Sequence, residues 1–276
     1  MTFPVCSRFY KRPSIENSCV YSKEKPMQTA AHPLSFTSGG FRLDGFLHLP
    51  AKKTAAAPPV VIGSHGLASD GNSAKQIALA EQLNTCGIAY FRFHHKGCGT
   101  SEGHFESVTT LPNRCEDLTA AIAYARSLPE TGDRFALFGS SLGGATALSV
   151  FQDHPEAAAI VVIAPPIRSR MLTKAPEHEN ADAAVLTPAF YRKNLDFDIS
   201  DRLPAIHHLL VFHGNADDIV PVDNGQETVK AATAPKQLVV FQGGDHRMSA
   251  AADQAVFLDT ACAWYRRFLL PDELSK

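Results

Sequence analysis

Residues 34–49, LSFTSGGFRLDGFLHL, alternate apolar and polar side chains on either side of Ser38, Gly39 and Gly40. That pattern predicts two antiparallel strands joined by a tight turn. Beyond it the period changes, and short continuous apolar runs alternate with stretches of helical spacing. PPVVIGSHG precedes a helix through Ile77, Ala80 and Leu83, and IAYFRFHH precedes one that puts Cys115, Leu118, Ile122 and Ala125 on a single face. RFALFGS runs into a helix opened by Ser141. AIVVIAPP, HLLVFHG, a helix begun near Asp223 and QLVVFQGG follow, and a closing helix carries Phe257, Ala261, Trp264 and Phe268 on one side. Strands that are apolar throughout must be buried on both faces, so the alternation predicts an α/β fold: a mainly parallel sheet with helices on both faces and an N-terminal antiparallel hairpin.

Two segments depart from the rhythm. Residues 165–208 are polar and punctuated by prolines, with no clear strand, and they follow the carboxyl end of a strand, where sheets of this class bind ligands. A small cap insertion is the functional expectation, with Met171, Leu172, Phe190, Tyr191 and Phe197 as its apolar material; a surface elaboration is the plain one. Residues 1–29 lack hydrophobic periodicity and lack the apolar stretch of a secretory signal, so they read as a disordered tail ahead of one domain over residues 30–272. Met27 offers an alternative start, which the mass of the native N-terminus would test.

Composition narrows the function classes. The chain has 276 residues, 45% hydrophobic and 20% charged, with a formal net charge of -2. Its basic residues are scattered, which argues against nucleic acid as a partner. The longest apolar run is too short to span a bilayer, and with no signal sequence the expected location is cytoplasmic. Six cysteines at irregular spacing form neither a CxxC pair nor a zinc pattern and read as thiols, Cys115 as a small core residue. His94 and His95, like His207 and His208, are consecutive; on a strand they point to opposite faces and cannot share one ion. No metal or other cofactor is expected.

The chemistry concentrates in FGSSLGG. Gly139, Ser141 and Gly143 satisfy G-x-S-x-G between a strand and a helix, the context in which the central serine is presented on a tight turn. Ser140 is the plain serine of the bend. A serine hydroxyl needs a base to take its proton and a carboxylate to orient that base. HGNADDIVP places Asp217 on the loop after one strand, and GGDHRMS places His246 after the next. Ser, Asp, His is the chain order of such a triad.

With SHGLASD, FRFHHKGCGTSEG, FGSSLGG, HGNADDIVP and GGDHRMS in this order, the chain resembles the α/β-hydrolases of the serine-hydrolase type, among them carboxylesterases, feruloyl-type esterases and serine aminopeptidases, over residues 34–270. The resemblance implies Asp217 as the acid, with Asp218 open as its replacement under a one-residue loop shift. Asp223, with Gln226, fits a helix capping box instead. The oxyanion needs two backbone N–H donors: Leu142, directly after the nucleophile, and, by resemblance, Leu67 after His65 and Gly66. His65 reads as a brace for that loop. His94 and Lys96 stand where the family commonly has an aspartate and an arginine, so a different brace is expected there. The implied activity is cleavage of a small-molecule carboxylic ester through an acyl-enzyme. Peptidase or thioesterase action are alternatives, the former with Glu177, Glu179 and Asp182 to receive a charged terminus, and a non-catalytic ligand-binding protein is a third. Oligomeric state is not encoded in these patterns.

Overall fold

Inner strands with apolar side chains on both faces require a layer on each side, and the computed structural model, which describes residues 6–10, 31–52, 56–169 and 186–270, has that arrangement. Its strands are β1 (Cys6–Tyr10), β2 (Ala31–Ser38), β3 (Phe41–His48), β4 (Val60–Ser64), β5 (Ala89–Phe93), β6 (Phe135–Ser140), β7 (Ile160–Ile163), β8 (Leu209–Gly214) and β9 (Lys236–Phe241). The helices are α1 (Ala74–Thr85), α2 (Phe105–Val108), α3 (Leu111–Ser127), α4 (Leu142–Phe151), α5 (Pro188–Asn194), α6 (Asp223–Ala231) and α7 (Ala251–Leu269), with a 3-10 helix at Ser200–Ala205. The described strands form one sheet in the order β1-β9-β8-β7-β6-β4-β5-β3-β2. β3 pairs antiparallel with β2 and β5, and every other neighbouring pair is parallel.

Period-two alternation sorts the side chains between the layers. Val60 and Ile62 enter one cluster with α3 and α4, whereas Val61 enters the other with α1 and α7. The predicted hairpin forms about Gly39 and Gly40, both with positive φ. Predicted helix faces hold with shifts of a residue: α1 buries Gln76, Leu79, Ala80 and Leu83, leaving Ile77 half-buried, and α7 buries Phe257, Ala261 and Trp264 together with Tyr265. α1 and α7 also bring the Cys86 and Cys262 thiols into contact, Sγ to Sγ 2.6 Å.

The first 29 residues are not all tail. Cys6–Tyr10 pair with β9 in parallel, Cys6 opposite Gln237 and Tyr10 opposite Phe241. An edge strand is held by main-chain hydrogen bonds on one side only, so it needs no alternating apolar pattern to reveal it. Met27 lies outside the described residues.

The described parts of the 165–208 insertion pack onto the body. Leu186, Phe190, Leu195 and Ile199 are buried in the first cluster. Phe190 stacks on Phe105 with ring centroids 5.7 Å apart, and Asn194 Nδ2 donates to the Glu106 carbonyl at 2.6 Å. Arg168 grips Glu227 of α6 with two hydrogen bonds of 2.8 and 2.7 Å. Met171, Leu172, Glu177, Glu179 and Asp182 fall outside the described residues.

Strand order also sets where a site forms. From β4 the chain steps outward to β5, whereas from β6 it steps the opposite way to β7, β8 and β9. Adjacent strands whose connections diverge leave a crevice at their carboxyl ends. The loops after β4 and β6 flank that crevice.

Candidate active site

Ser141 follows β6 and caps α4, at φ 54° and ψ −123°. A non-glycine residue at positive φ is strained, and the turn persists because its surroundings leave no alternative. A Cβ on Gly139 would lie 2.2 Å from the Gly143 carbonyl oxygen, and one on Gly143 would lie 2.1 Å from that of Ser64. Both glycines of the motif are therefore demanded by close backbone approach. Ser140 ends β6 beside the bend.

The structure brings three of the sequence-selected side chains into one hydrogen-bonded row. His246, on the turn after β9, has Nε2 3.0 Å from Ser141 Oγ and Nδ1 2.7 Å from Asp217 Oδ2. Asp217, on the turn after β8, has a fully buried side chain, and its Oδ1 accepts the Ile219 and Val220 amides at 3.0 and 2.8 Å. Burial would raise the Asp217 carboxyl, but hydrogen bonds from His213, His246 and the Val220 amide outweigh it and hold the group well below the ordinary carboxylate range. Asp218 is exposed, and the contact to His246 is made by its neighbour.

Leu142 N–H lies at the first position of α4, directly after Ser141, and Leu67 follows Gly66 on the loop after β4. A Cβ on Gly66 would stand 3.6 Å from Ser141 Cβ, so this loop abuts the serine. Among the described residues neither the Leu67 nor the Leu142 N–H is donated to a protein acceptor. Two free N–H groups beside one hydroxyl, at a helix N-terminus, suit a developing negative charge.

His65 braces its loop from within. Its Nδ1 meets the Gly66 carbonyl at 2.8 Å, and its Nε2 accepts the His95 N–H at 3.1 Å. Burial, reinforced by the nearby Arg114 charge, keeps the His65 ring neutral. The segment from His94 to Lys96 is held by backbone and side-chain partners of its own. His94 Nδ1 accepts the Gly71 N–H at 3.0 Å, while Lys96 Nζ pairs with Glu116 and lies 3.3 Å from Asp117. Buried Asp117 also receives Ser38 Oγ, Lys96 N–H and His95 Nδ1, and His95 Nε2 meets Ser64 Oγ at 2.8 Å. His94 and His95 thus have separate partners. Among the described residues no group of three or more His, Cys, Asp or Glu could hold a metal ion, and no helix is long and apolar enough to cross a membrane.

Three contributors to the site were not singled out from the sequence. His213 Nε2 donates to the Val220 carbonyl at 2.8 Å and lies 3.4 Å from Asp217 Oδ2. It stands inside the HGNADDIVP motif, so its spacing of four from Asp217 was an available signal. Lys75 Nζ donates to the Arg247 carbonyl at 3.0 Å, tethering the His246 turn to α1. Arg114 on α3 reaches the loop after β4. Neither Lys75 nor Arg114 belongs to a motif. The capping box at Asp223 does not form: Asp223 is the first residue of α6, Val222 occupies the cap position, and no side chain caps the helix.

Comparison with known proteins agrees with this architecture. The family described as serine aminopeptidase, S33, matches residues 55–208. An uncharacterized protein of Mycobacterium tuberculosis (strain ATCC 25618 / H37Rv) is 29% identical over 238 residues, spanning 84% of this chain and 76% of that protein. The esterase domain of a Rhodothermus marinus protein is similar in fold, with TM-score 0.63 at 24% identity over 87% of this chain and 99% of that one. Est1E from Butyrivibrio proteoclasticus, solved with ferulic acid bound, is likewise similar, with TM-score 0.70 at 20% identity over 88% and 100% of the two chains.

Proposed function

The chain belongs to the serine aminopeptidase S33 family within the α/β-hydrolase superfamily, and from that premise we propose that it is a serine esterase that works through an acyl-enzyme. The observation that carries the reading is the unbroken row from Ser141 Oγ through His246, 3.0 Å on one side and 2.7 Å on the other, to a buried ionised Asp217.

In this mechanism Ser141 Oγ attacks the ester carbonyl carbon while His246 Nε2 takes its proton. Asp217 holds the Nδ1–H tautomer and stabilises the imidazolium that forms. The carbonyl oxygen becomes an oxyanion that accepts the Leu142 and Leu67 N–H groups. Collapse of the tetrahedral intermediate breaks the ester C–O bond, His246 protonates the departing alcohol, and the acyl group stays on Ser141. Water then attacks the acyl carbon with His246 as base, and the acid leaves as Ser141 recovers its proton. No step calls for a metal or a cofactor.

A small-molecule ester as substrate is supported by the likeness to the Rhodothermus marinus esterase domain and to Est1E, which was solved with ferulic acid bound; the family description supports amide cleavage as a second reading. Turnover of p-nitrophenyl acyl esters, acyl thioesters and aminoacyl arylamides by one preparation separates these. Esters are expected to be turned over fastest, and Ser141→Ala should reduce that rate by about 10⁴-fold or more with an unchanged circular dichroism spectrum. Arylamides turned over faster than esters would replace the esterase reading with the peptidase one, and an active Ser141→Ala would remove both.

A further inference from the structure

A buried guanidinium stands behind the candidate oxyanion loop. Arg114, in the first turn of α3, is 2% exposed. Among the described residues no carboxylate lies at ion-pair distance from it, and its Nε and Nη1 have no hydrogen-bond partner. Burial lowers its pKa, yet a guanidinium starts so high that it stays charged. Buried Asp117, one turn along α3, attracts this charge only through space; burying a cation without a direct ion pair is costly, and an apolar side chain of similar length would serve the packing of α3 better. What the guanidinium does touch is the turn after β4. Nη2 donates to the His65 carbonyl at 2.5 Å and to the Gly66 carbonyl at 3.3 Å.

The Gly66 carbonyl and the Leu67 N–H are the two ends of one peptide unit. A cationic donor on the oxygen fixes the plane of that amide and draws electron density from its nitrogen, so the N–H becomes both better aimed and a stronger donor. His65 Nδ1–H acts on the same oxygen from 2.8 Å, in the tautomer set by the His95 N–H on its Nε2. We propose that Arg114 is a positioning residue of the oxyanion hole: it orients and polarises the Gly66–Leu67 peptide, and through it the transition state, without touching substrate. The proposal rests on the serine-esterase reading and deepens it.

The test uses Arg114→Met and Arg114→Lys, with folding checked by circular dichroism and thermal melting. The readouts are kcat and KM on a short-chain p-nitrophenyl ester, the inhibition constant of an alkyl boronic acid, whose serine adduct is an anionic tetrahedron, and labelling by a fluorophosphonate. A role confined to the oxyanion predicts that Arg114→Met loses roughly 10- to 100-fold in kcat with KM changed by less than about twofold, and that boronate affinity falls in step with kcat. Arg114→Lys keeps the charge but ends one bond short of Nη2, the nitrogen that reaches both carbonyls, and should fall between Arg114→Met and the wild type. A folded Arg114→Met with wild-type kcat and boronate affinity, or with KM alone changed, overturns the proposal. If Arg114→Met does not fold, Arg114→Lys decides: an intermediate kcat at unchanged KM supports the role, and a wild-type kcat overturns it. Wild-type protein that neither labels nor turns over the ester removes the esterase reading and this proposal with it, whereas labelled, active wild type with unaffected variants removes this proposal alone.

Discussion

Asp217 and Asp218 are adjacent and identical, yet only one has a fully buried side chain, held by two backbone amides and by His213 and His246. Burial pushes its carboxyl up, those hydrogen bonds pull it further down, and the group stays ionised at any pH where His246 serves as a base. Asp217→Asn presents an amide that favours the wrong imidazole tautomer, so kcat should fall by about 10³- to 10⁴-fold. Asp218→Asn should stay within about twofold of wild type. Steady-state ester kinetics of the pair check this, and equal losses would show that the loop register differs. At this scale the row Ser141, His246 and Asp217 is legible because each residue sits in a short motif with fixed spacing to a strand end. Arg114 is not legible: it stands next to Cys115 and one turn before Leu118 on a helix whose apolar residues alone mark the buried face. A charge buried beside them looks, in sequence, like a solvated one.

At the scale of elements, the strand-turn-helix around Ser141 depends on two positions without side chains. Gly143→Ala would place a methyl 2.1 Å from the Ser64 carbonyl oxygen, and backbone on both sides cannot yield as a flexible side chain would. The substitution should lower stability by about 1–3 kcal/mol and cut esterase kcat more than tenfold, because β4 and α4 must separate to admit it. Thermal melting and ester turnover measure both; a variant with wild-type values would show that the β4–α4 approach is looser than described. Apolar runs foretold the inner strands, and Ser-Gly-Gly foretold the β2–β3 turn. β1 escaped, since an edge strand at Cys6–Tyr10 is defined by its partner β9 rather than by a pattern of its own. The Asp223 cap failed for a different reason: α6 starts one residue earlier than a capping box requires, and Asn224 Oδ1 instead accepts the Ile167 N–H at 3.1 Å.

The whole molecule stores buried neutral histidines, which link its stability to pH. Burial, helped by the charges of Arg92 and Arg114 respectively, pushes His48 and His95 down to about 4 from an ordinary 6.5. In the unfolded chain both rings bind protons below pH 6.5, and in the native state they resist until about pH 4. Their contribution is therefore complete above pH 6.5 and is lost progressively as pH falls toward 4, on the order of 3 kcal/mol for each ring. Melting temperature should be flat from pH 7 to 8 and decline between pH 6.5 and 4, and a flat profile through that window would contradict the neutral assignment. The global arrangement delivers the loops after β4, β6, β8 and β9 to one rim, where Leu67, Ser141, Asp217 and His246 meet. The most direct measurement of what that rim does is peptide-level mass spectrometry of the wild-type protein after reaction with a fluorophosphonate. A single adduct on Ser141, suppressed by competing short-chain esters and slowed in His246→Ala, is the predicted result. Folded protein that carries no adduct, or carries it on another residue, would contradict the assignment of Ser141 as the nucleophile.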